Sequence, residues 1–281
     1  MRAGRILAAA AVVLATASVA RTDIVLRGVE HYDVTASHST GVLWEFSTAD
    51  VVSGGYIDNA YVHDDAILRV RRPSGSALYR AWVYDAGQVA VSSGVVSRLD
   101  AWGTGSVDVD GGSVGDVYAY ETSSLSISGG SVWWVSASET SSVDISGGSV
   151  GLRLNAHDTS TVDISGGSVP SLGAYGRSTV TLHGHGFLAT GGLSLVEYDI
   201  VNGVPQYEVI GTGALTGTWF DGSLWTLQIE ANDSGATILA VPEPASLSLL
   251  ALLALSLPKR GALAASRRRR LATWVRARTL W

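Results

Sequence analysis

Hydrophobic residues in the middle of the chain recur in pairs spaced by two, and the pairs repeat with a period of about 18 residues. The first pair of each repeat occurs at Ala60/Val62, Ala81/Val83, Leu99/Ala101, Val117/Ala119, Val135/Ala137, Leu154/Ala156 and Leu172/Ala174. The second pair occurs at Leu68/Val70, Val89/Val91, Val107/Val109, Leu125/Ile127, Val143/Ile145, Val162/Ile164 and Val180/Leu182. Because alternate side chains of a strand point to the same side, each repeat is predicted to contain two short strands that contribute to one core.

A glycine pair and a third apolar position complete the repeat. The sequence Val-Asp-Ile-Ser-Gly-Gly-Ser-Val occurs at residues 143–150 and again at 162–169, with near-copies at 107–114 and 125–132. Glycine adopts positive φ without a Cβ penalty, so each Gly-Gly pair predicts a corner between strands. The third apolar position follows the corner at Val96, Val114, Val132, Val150 and Val169. We therefore predict an all-β fold, a parallel β-helix (β-solenoid) with coils of about 18 residues.

The two ends of the chain differ from the repeat region. Residues 1–20 start with two arginines, continue with an apolar run and end in small residues, a pattern typical of a secretory signal peptide. We expect residues 21–59 to form an N-terminal cap and the first coils, residues 60–187 the solenoid repeats, and residues 188–240 the C-terminal coils and cap. Residues 241–281 contain an apolar run and a basic tail, and they are expected to include a hydrophobic transmembrane helix.

The distribution of charge narrows the range of partners. The chain has a net charge of -6, yet residues 21–240 hold 9 Lys and Arg against 24 Asp and Glu, and residues 245–281 hold 8 basic residues and no acidic one. Nucleic-acid binding requires clustered Lys and Arg, so the acidic body is expected to bind no nucleic acid. The basic tail is typical of a segment that lies at the inner face of a membrane. The absence of Cys excludes disulfides, thiolate metal sites and a Cys nucleophile.

The C-terminal segment carries a more specific pattern. The residues Val241, Pro242, Glu243 and Pro244 precede an apolar run from Leu247 to Leu257, and Arg267, Arg268, Arg269 and Arg270 follow it. This combination resembles the PEP-CTERM sorting signal of exported bacterial proteins. The resemblance implies export through Sec, transient anchoring in the inner membrane, recognition by an exosortase, removal of the tail, and release to the cell surface or the exopolysaccharide matrix. It implies no activity for the solenoid itself.

A column of rings is predicted on the outer surface. The position three residues after the start of each coil is occupied by His63, Tyr84, Trp102, Tyr120, Ser138, His157 and Tyr175. Acidic residues follow at Asp64, Asp85, Glu121, Glu139 and Asp158. Aromatic rings beside carboxylates are suited to sugar faces, so the candidate glycan-binding residues are Tyr84, Trp102, Tyr120 and Tyr175. The alternative is that the rings stack between coils and stabilise the array.

Other residues with catalytic or metal-binding chemistry also recur. Asp108, Asp144 and Asp163 form an outward column that is interrupted by Ser126. This column either supplies catalytic carboxylates or Ca²⁺ ligands, or it is a solvated polar face. His183 and His185 lack a third metal ligand at a recognisable spacing. We expect no catalytic residue, metal or cofactor, since serine-nucleophile, phosphate-loop and zinc motifs are absent from the sequence.

These features predict an exported, non-enzymatic structural or adhesive protein of the bacterial cell surface or extracellular matrix, which binds polysaccharide along the ring column. The alternative is a polysaccharide lyase or glycoside hydrolase on the same β-helix. An enzyme of that kind requires a cleft in which an acid and a base converge. Coils of 18 or 19 residues leave little room for the loops that build a cleft, so the sequence favours the structural or adhesive role.

Overall fold

The computed structural model describes residues 23–201, 204–232 and 235–242. The predicted signal peptide and the sorting signal from Glu243 onward, with its predicted helix, lie outside these residues. Within them, no helix is long and apolar enough to cross a membrane. In chain order the strands are β1 (Ile24–Leu26), β2 (His31–Val34), β3 (Ser37–Leu43), β4 (Thr48–Val51), β5 (Tyr56–Val62), β6 (Ile67–Val83), β7 (Gln88–Ala101), β8 (Ser106–Val109), β9 (Ser113–Ala119), β10 (Ser124–Ile127), β11 (Ser131–Ala137), β12 (Ser142–Ile145), β13 (Ser149–Ala156), β14 (Thr161–Ile164), β15 (Ser171–Ala174), β16 (Thr179–Gly191), β17 (Ser194–Val201), β18 (Val204–Ile210), β19 (Gly213–Thr218), β20 (Leu224–Asn232) and β21 (Thr237–Pro242).

The strands wind into a β-solenoid of about nine turns, which confirms the predicted all-β parallel fold. A first parallel ladder joins β1, β3, β5, β6, β7, β9, β11, β13, β15 and β20. A second joins β2, β4, β6, β7, β8, β10, β12, β14, β16 and β21. A third, shorter ladder joins the first residues of β3, β5, β9, β11 and β13 with inner residues of β6 and β7. Each of these coils therefore has three sides.

The register of the ladders is the one that the apolar pairs predict. Ala60 pairs with Ala81 in the first ladder, and Val143 pairs with Val162 in the second. Equivalent positions are buried throughout, so that Ile145, for example, is 0% exposed. Because neighbouring coils lie about 4.8 Å apart, these side chains stack into one continuous apolar core along the axis.

The two glycines of each corner are required for different reasons. The second glycine has positive φ, as in Gly148 at 67°, which is the conformation that the sequence predicts for a corner. The first glycine does not have positive φ, but a Cβ on Gly147 would lie 2.3 Å from the carbonyl oxygen of Ser128 in the preceding coil. The first position is therefore restricted by the close approach of neighbouring coils.

Regular coils begin upstream of the clear sequence repeat. Ile24 pairs with Gly41 at the start of the first ladder, and β2 pairs with β4 in the second. The side chains of Val34, Leu43 and Ile57 are fully buried in the same core. The solenoid core therefore extends to β1.

The last coil is interrupted by an antiparallel insertion. β16 continues beyond the second ladder and pairs with β19, while β17 and β18 form an antiparallel hairpin. β20 and β21 then return the chain to the first and second ladders, beside β15 and β16. Trp219 and Trp225 are buried with ring centroids 4.7 Å apart, and β18 pairs with β21 at Tyr207 and Glu208. These contacts close the core at its C-terminal end.

Candidate functional site

The outward surface of the first ladder, which we call the ring face, carries many aromatic and arginine side chains. Three outward residues of each coil flank the two buried positions, because alternate side chains of a strand point away from the core. Coil by coil, they are Asn59/Tyr61/His63, Arg80/Trp82/Tyr84, Arg98/Asp100/Trp102, Asp116/Tyr118/Tyr120, Trp134/Ser136/Ser138, Arg153/Asn155/His157 and Ser171/Gly173/Tyr175. The predicted ring column is the third position of each triplet.

Most rings of this column stack on one another across coils. The ring centroids are 4.8 Å apart for His63 and Tyr84, 4.0 Å for Trp102 and Tyr120, and 4.7 Å for His157 and Tyr175. Trp44 extends the column upstream, at 4.0 Å from His63. The planes of these pairs are within 17° of parallel, so each stacked face is covered by the neighbouring ring. A ligand therefore meets mainly ring edges along the stacked parts of the column.

Two tyrosines of the column have perturbed acidity. Burial is the largest cause that raises the pKa of Tyr84 and of Tyr120 above the ordinary tyrosine value. Both phenols therefore remain protonated at neutral pH, and their hydroxyls can donate as well as accept hydrogen bonds. This is the protonation state that a hydroxyl-rich ligand requires for donor and acceptor contacts.

The centre of the ring face contains an ion-pair cluster that the sequence analysis missed. Asp100 is 1% exposed, although its strand position points outward, because neighbouring side chains cover it. Its carboxylate accepts hydrogen bonds from Nε of Arg80 at 2.8 Å and from Nη2 of Arg98 at 2.7 Å. The hydrogen bond to Asp100 is the main cause that raises the pKa of Arg98. The cluster carries two guanidinium groups for one carboxylate, so it is locally positive within an acidic body.

The two arginines of this cluster also contact aromatic rings. The guanidinium carbon of Arg80 lies 4.1 Å from the ring centroid of Trp82, and that of Arg98 lies 4.2 Å from the ring centroid of Tyr118. Such cation–π contacts fix planar groups in one orientation. A signal was present in the sequence, since arginines precede the first buried position of two successive coils and an aspartate follows it in the second.

The acidic residues beside the rings form the corner between the first and second ladders. Six of them have positive φ, between 54° and 60°, namely Glu45, Asp64, Asp85, Glu121, Glu139 and Asp158. Gly103 and Gly176 occupy the same corner position in two other coils, with φ of 65° and 69°. Positive φ costs free energy at a residue with a Cβ, so this corner needs compensating contacts.

Hydrogen bonds between coils supply that compensation. The carboxylate of Glu121 accepts a hydrogen bond from the backbone N–H of Gly103 at 2.8 Å, and that of Asp158 accepts one from the backbone N–H of Glu139 at 3.0 Å. The hydroxyl of Thr140 donates to the carbonyl oxygen of Glu121 at 2.7 Å, as equivalent threonines do in other coils. These carboxylates therefore help to hold the corner as well as giving the edge of the ring face a negative charge.

The aspartate column lies on the outward surface of the second ladder, which we call the hydroxyl face. Asp108, Ser126, Asp144 and Asp163 are aligned in successive coils, as predicted, among serine and threonine side chains. Oδ1 of Asp163 lies 2.9 Å from Nε2 of His183. Burial, and to a lesser degree the charge of Asp110, raises the pKa of Asp108. Asp144 and Asp163 pair in register on adjacent coils and line one concave surface, whereas Ser126 separates Asp108 from them.

One group of three residues has the ligand atoms for a metal ion close together. In the described part of the chain this group is His31, Asp33 and Asp50. The carboxylate of Asp50 is already contacted by Arg69 at 3.5 Å and Arg71 at 3.3 Å. Those arginines neutralise the charge that would attract a cation, so the group forms a polar network of the first coils.

The predicted sorting motif begins at the end of the last strand. Val241 and Pro242 lie in β21 and pair with His183 and Gly184 of β16. Glu243, Pro244 and the four arginines from Arg267 to Arg270 lie beyond the described residues. The part of the motif that the structure describes therefore forms the end of the last strand of the solenoid.

Comparisons of the chain with models of protein families, with curated proteins and with solved structures find no match.

Proposed function

We propose that this chain is an exported protein of the bacterial cell surface or extracellular matrix, with a structural or adhesive role, and that its solenoid binds polysaccharide. The observation that carries the proposal is the ring face, where tryptophan, tyrosine and arginine side chains occupy successive outward positions. These are the residue types that contribute most to binding surfaces, because they offer large contact areas and directed hydrogen bonds. Ring stacking and ion pairs hold them in place before any ligand arrives, which lowers the entropic cost of binding.

A binding role is supported over catalysis by where the carboxylates lie. Asp100 is held by two arginines, the carboxylates of Glu121 and Asp158 accept hydrogen bonds from the backbone, and on the hydroxyl face Oδ1 of Asp163 lies 2.9 Å from Nε2 of His183. A lyase or glycoside hydrolase needs an acid and a base that converge on one bond. We therefore propose a non-catalytic role.

Sorting is proposed to use the C-terminal segment. In this proposal an exosortase recognises Val241, Pro242, Glu243 and Pro244, and the apolar run and basic tail hold the chain transiently in the inner membrane. The solenoid is then released by removal of the tail. The support is the resemblance to PEP-CTERM signals together with the position of the motif at the end of the last strand, β21.

Binding is tested with the full-length protein, solubilised in a mild detergent, on a panel of neutral and acidic polysaccharides by affinity gel electrophoresis. Trp82→Ala is expected to weaken binding, because it removes a ring of the ring face that stacks on Tyr61 and Arg80. Ser126→Ala on the hydroxyl face is the matched control and is expected to bind as the unchanged protein does. The proposal fails if no polysaccharide is bound, and release of new reducing ends during incubation would favour the hydrolase alternative.

Sorting is tested in a bacterium that contains an exosortase. Glu243→Ala is the informative substitution, because Glu243 follows the last strand and the change leaves β21 intact. We expect the variant to remain in the membrane fraction at full length, whereas the unchanged protein is released in a shorter form. Equal release of both proteins would contradict recognition of this motif.

A further inference from the structure

The ring column is interrupted at one coil. Ser138 occupies the position between Tyr120 and His157, and all three backbone N–H groups donate to the preceding coil in the same register. Trp102 covers the face of Tyr120 that points away from the gap, with ring centroids 4.0 Å apart. Tyr175 covers the corresponding face of His157, with ring centroids 4.7 Å apart. The two rings that border the gap are therefore held in orientation from outside, and their inner faces point toward the gap.

The width of the gap matches one ring. Tyr120 and His157 are two coils apart, so their planes are separated by about 9.6 Å if each coil advances about 4.8 Å. A ring placed midway would lie about 4.8 Å from each wall. That distance equals the 4.8 Å between His63 and Tyr84 in the uninterrupted part of the column. The gap is thus a slot for one ring, which the chain itself leaves unfilled.

The floor of the slot is small and polar. Ser136 and Ser138 are two of the three outward residues of this coil, the third being Trp134, and they lie between the larger pairs Tyr118/Tyr120 and Asn155/His157. Both serines are partly exposed, and no described residue forms a hydrogen bond with either hydroxyl. Two serine hydroxyls and the protonated phenol of Tyr120 therefore offer donors and acceptors at the walls and floor.

The charges around the slot are negative. Glu121, Glu139 and Asp158 lie at the corner beside Tyr120, Ser138 and His157. The guanidinium of Arg153 is committed to the hydroxyl of Tyr175 at 2.6 Å and to Glu230 at 3.0 Å. Arg80 and Arg98, whose charges also act on Tyr120, are bound to the carboxylate of Asp100. An anionic ligand would be repelled by these carboxylates, whereas sugar hydroxyls can donate hydrogen bonds to them.

We propose that the slot over Ser136 and Ser138 binds a single pyranose ring of a neutral polysaccharide, sandwiched between Tyr120 and His157. This inference rests on the proposed polysaccharide-binding function and names its site and ligand class. The two aromatic walls cover both faces of the sugar, and the serines and corner carboxylates contact its hydroxyls. Within the stacked pairs of the column, the facing ring surfaces cover each other.

The test is to fill the slot with a ring supplied by the chain. Ser138→Tyr completes the ring column, and Ser126→Tyr makes the same change on the hydroxyl face as a matched control. Full-length proteins are compared by affinity gel electrophoresis in neutral β-glucan, xylan and galactomannan and in acidic alginate and polygalacturonate. We expect the unchanged protein to bind a neutral polysaccharide, Ser138→Tyr to bind it about tenfold more weakly, and Ser126→Tyr to bind it as the unchanged protein does.

Thermal unfolding of the same proteins shows whether the variants are folded, so a loss of binding can be assigned to the slot. If Ser138→Tyr is folded and binds as tightly as the unchanged protein, the slot is wrong while polysaccharide binding stands. If only acidic polysaccharides are bound, the neutral ligand class is wrong. If an aromatic peptide binds to the unchanged protein but not to Ser138→Tyr, and no polysaccharide does, the occupant is a protein side chain and both proposals fail.

Discussion

The ring face and the hydroxyl face belong to the same coils and share one core, but they differ in what they present to solvent. On the hydroxyl face the outward residues are mostly serine, threonine and aspartate, and this is the side on which the sequence repeat is most exact. On the ring face the outward residues change from coil to coil, from an arginine and tryptophan cluster to a pair of serines. The residues that repeat exactly therefore build the scaffold, and the residues that vary from coil to coil form the surface that is proposed to bind polysaccharide.

The largest effect is expected at the glycine corner that joins the hydroxyl face to the third ladder of the same coils. Gly148→Ala should destabilise the solenoid by about 3 kcal/mol, because alanine is strained at positive φ. Its Cβ would also lie 2.6 Å from the carbonyl oxygen of Gly129. Gly222→Ala is the matched control, since Gly222 has φ of 87° with nothing within 4 Å of an added Cβ. Chemical denaturation measures both, and equal losses would show that the approach of neighbouring coils is not what restricts the corner.

The next prediction compares the stability cost of replacing one aspartate on each face. Asp100→Asn should cost about 2 kcal/mol, because Arg80 and Arg98 lose their shared carboxylate while remaining only about a third exposed. Asp144→Asn should change stability by less than about 0.5 kcal/mol, since Asp144 is exposed. Denaturation curves of the two variants test this order. Similar costs at the two positions would contradict the distinction between the faces.

Completing the ring column should stabilise the protein. Ser138→Tyr is expected to add about 1 kcal/mol, because the new ring stacks between Tyr120 and His157. The same substitution at Ser126 should add little, since that position has serine and aspartate neighbours in the adjacent coils. Thermal unfolding distinguishes the two. A destabilised Ser138→Tyr variant would show that the gap is narrower than one ring.

The smallest effect concerns pH. Burial lowers the pKa of His63 below the ordinary value of 6.5, although the nearby charges of Asp85 and Asp64 act to raise it. The folded chain therefore takes up a proton at His63 less readily than the unfolded chain, and stability falls as the pH drops below 6.5. His63→Phe keeps the ring between Trp44 and Tyr84 and should show a shallower fall in melting temperature on acidification. His185→Phe, at an exposed ring, should retain the full fall.

The fold could be predicted because its main determinant is local. Apolar pairs spaced by two fix which side of a strand is buried, and their period fixes the register between coils, as at Val143 and Val162. The positive φ of Gly148 follows from glycine chemistry alone. The restriction at Gly147 does not follow from glycine chemistry alone, because it depends on a carbonyl oxygen of the neighbouring coil. The antiparallel pairing of β17 and β18 does have a local signal, because the sequence Asn-Gly, which is typical of two-residue hairpin turns, separates the two strands.

The surface was predicted less completely, for a related reason. The ring column follows from sequence spacing, but its stacking depends on the distance between coils and on side-chain orientation. Glutamate has no intrinsic preference for positive φ, so the conformation of Glu121 and Glu139 has no local signal. The sequence signal for their positive φ is that these residues align with Gly103 in the repeat. Whether Tyr84, Trp102, Tyr120 and Tyr175 bind glycans stays a prediction that the binding experiments decide.

The antiparallel insertion has a consequence for the order in which the protein folds. Most coils close by pairing residues about 18 positions apart, as Leu154 and Leu172 do, whereas Leu172 must find Ile229 across the whole insertion. The entropy of closing that longer loop costs about 1 kcal/mol more, because closure cost rises with the logarithm of loop length. Inner coils can therefore nucleate and grow along the axis, while the terminal coil is sealed last. Its sealing is the step of folding that is most open to interruption.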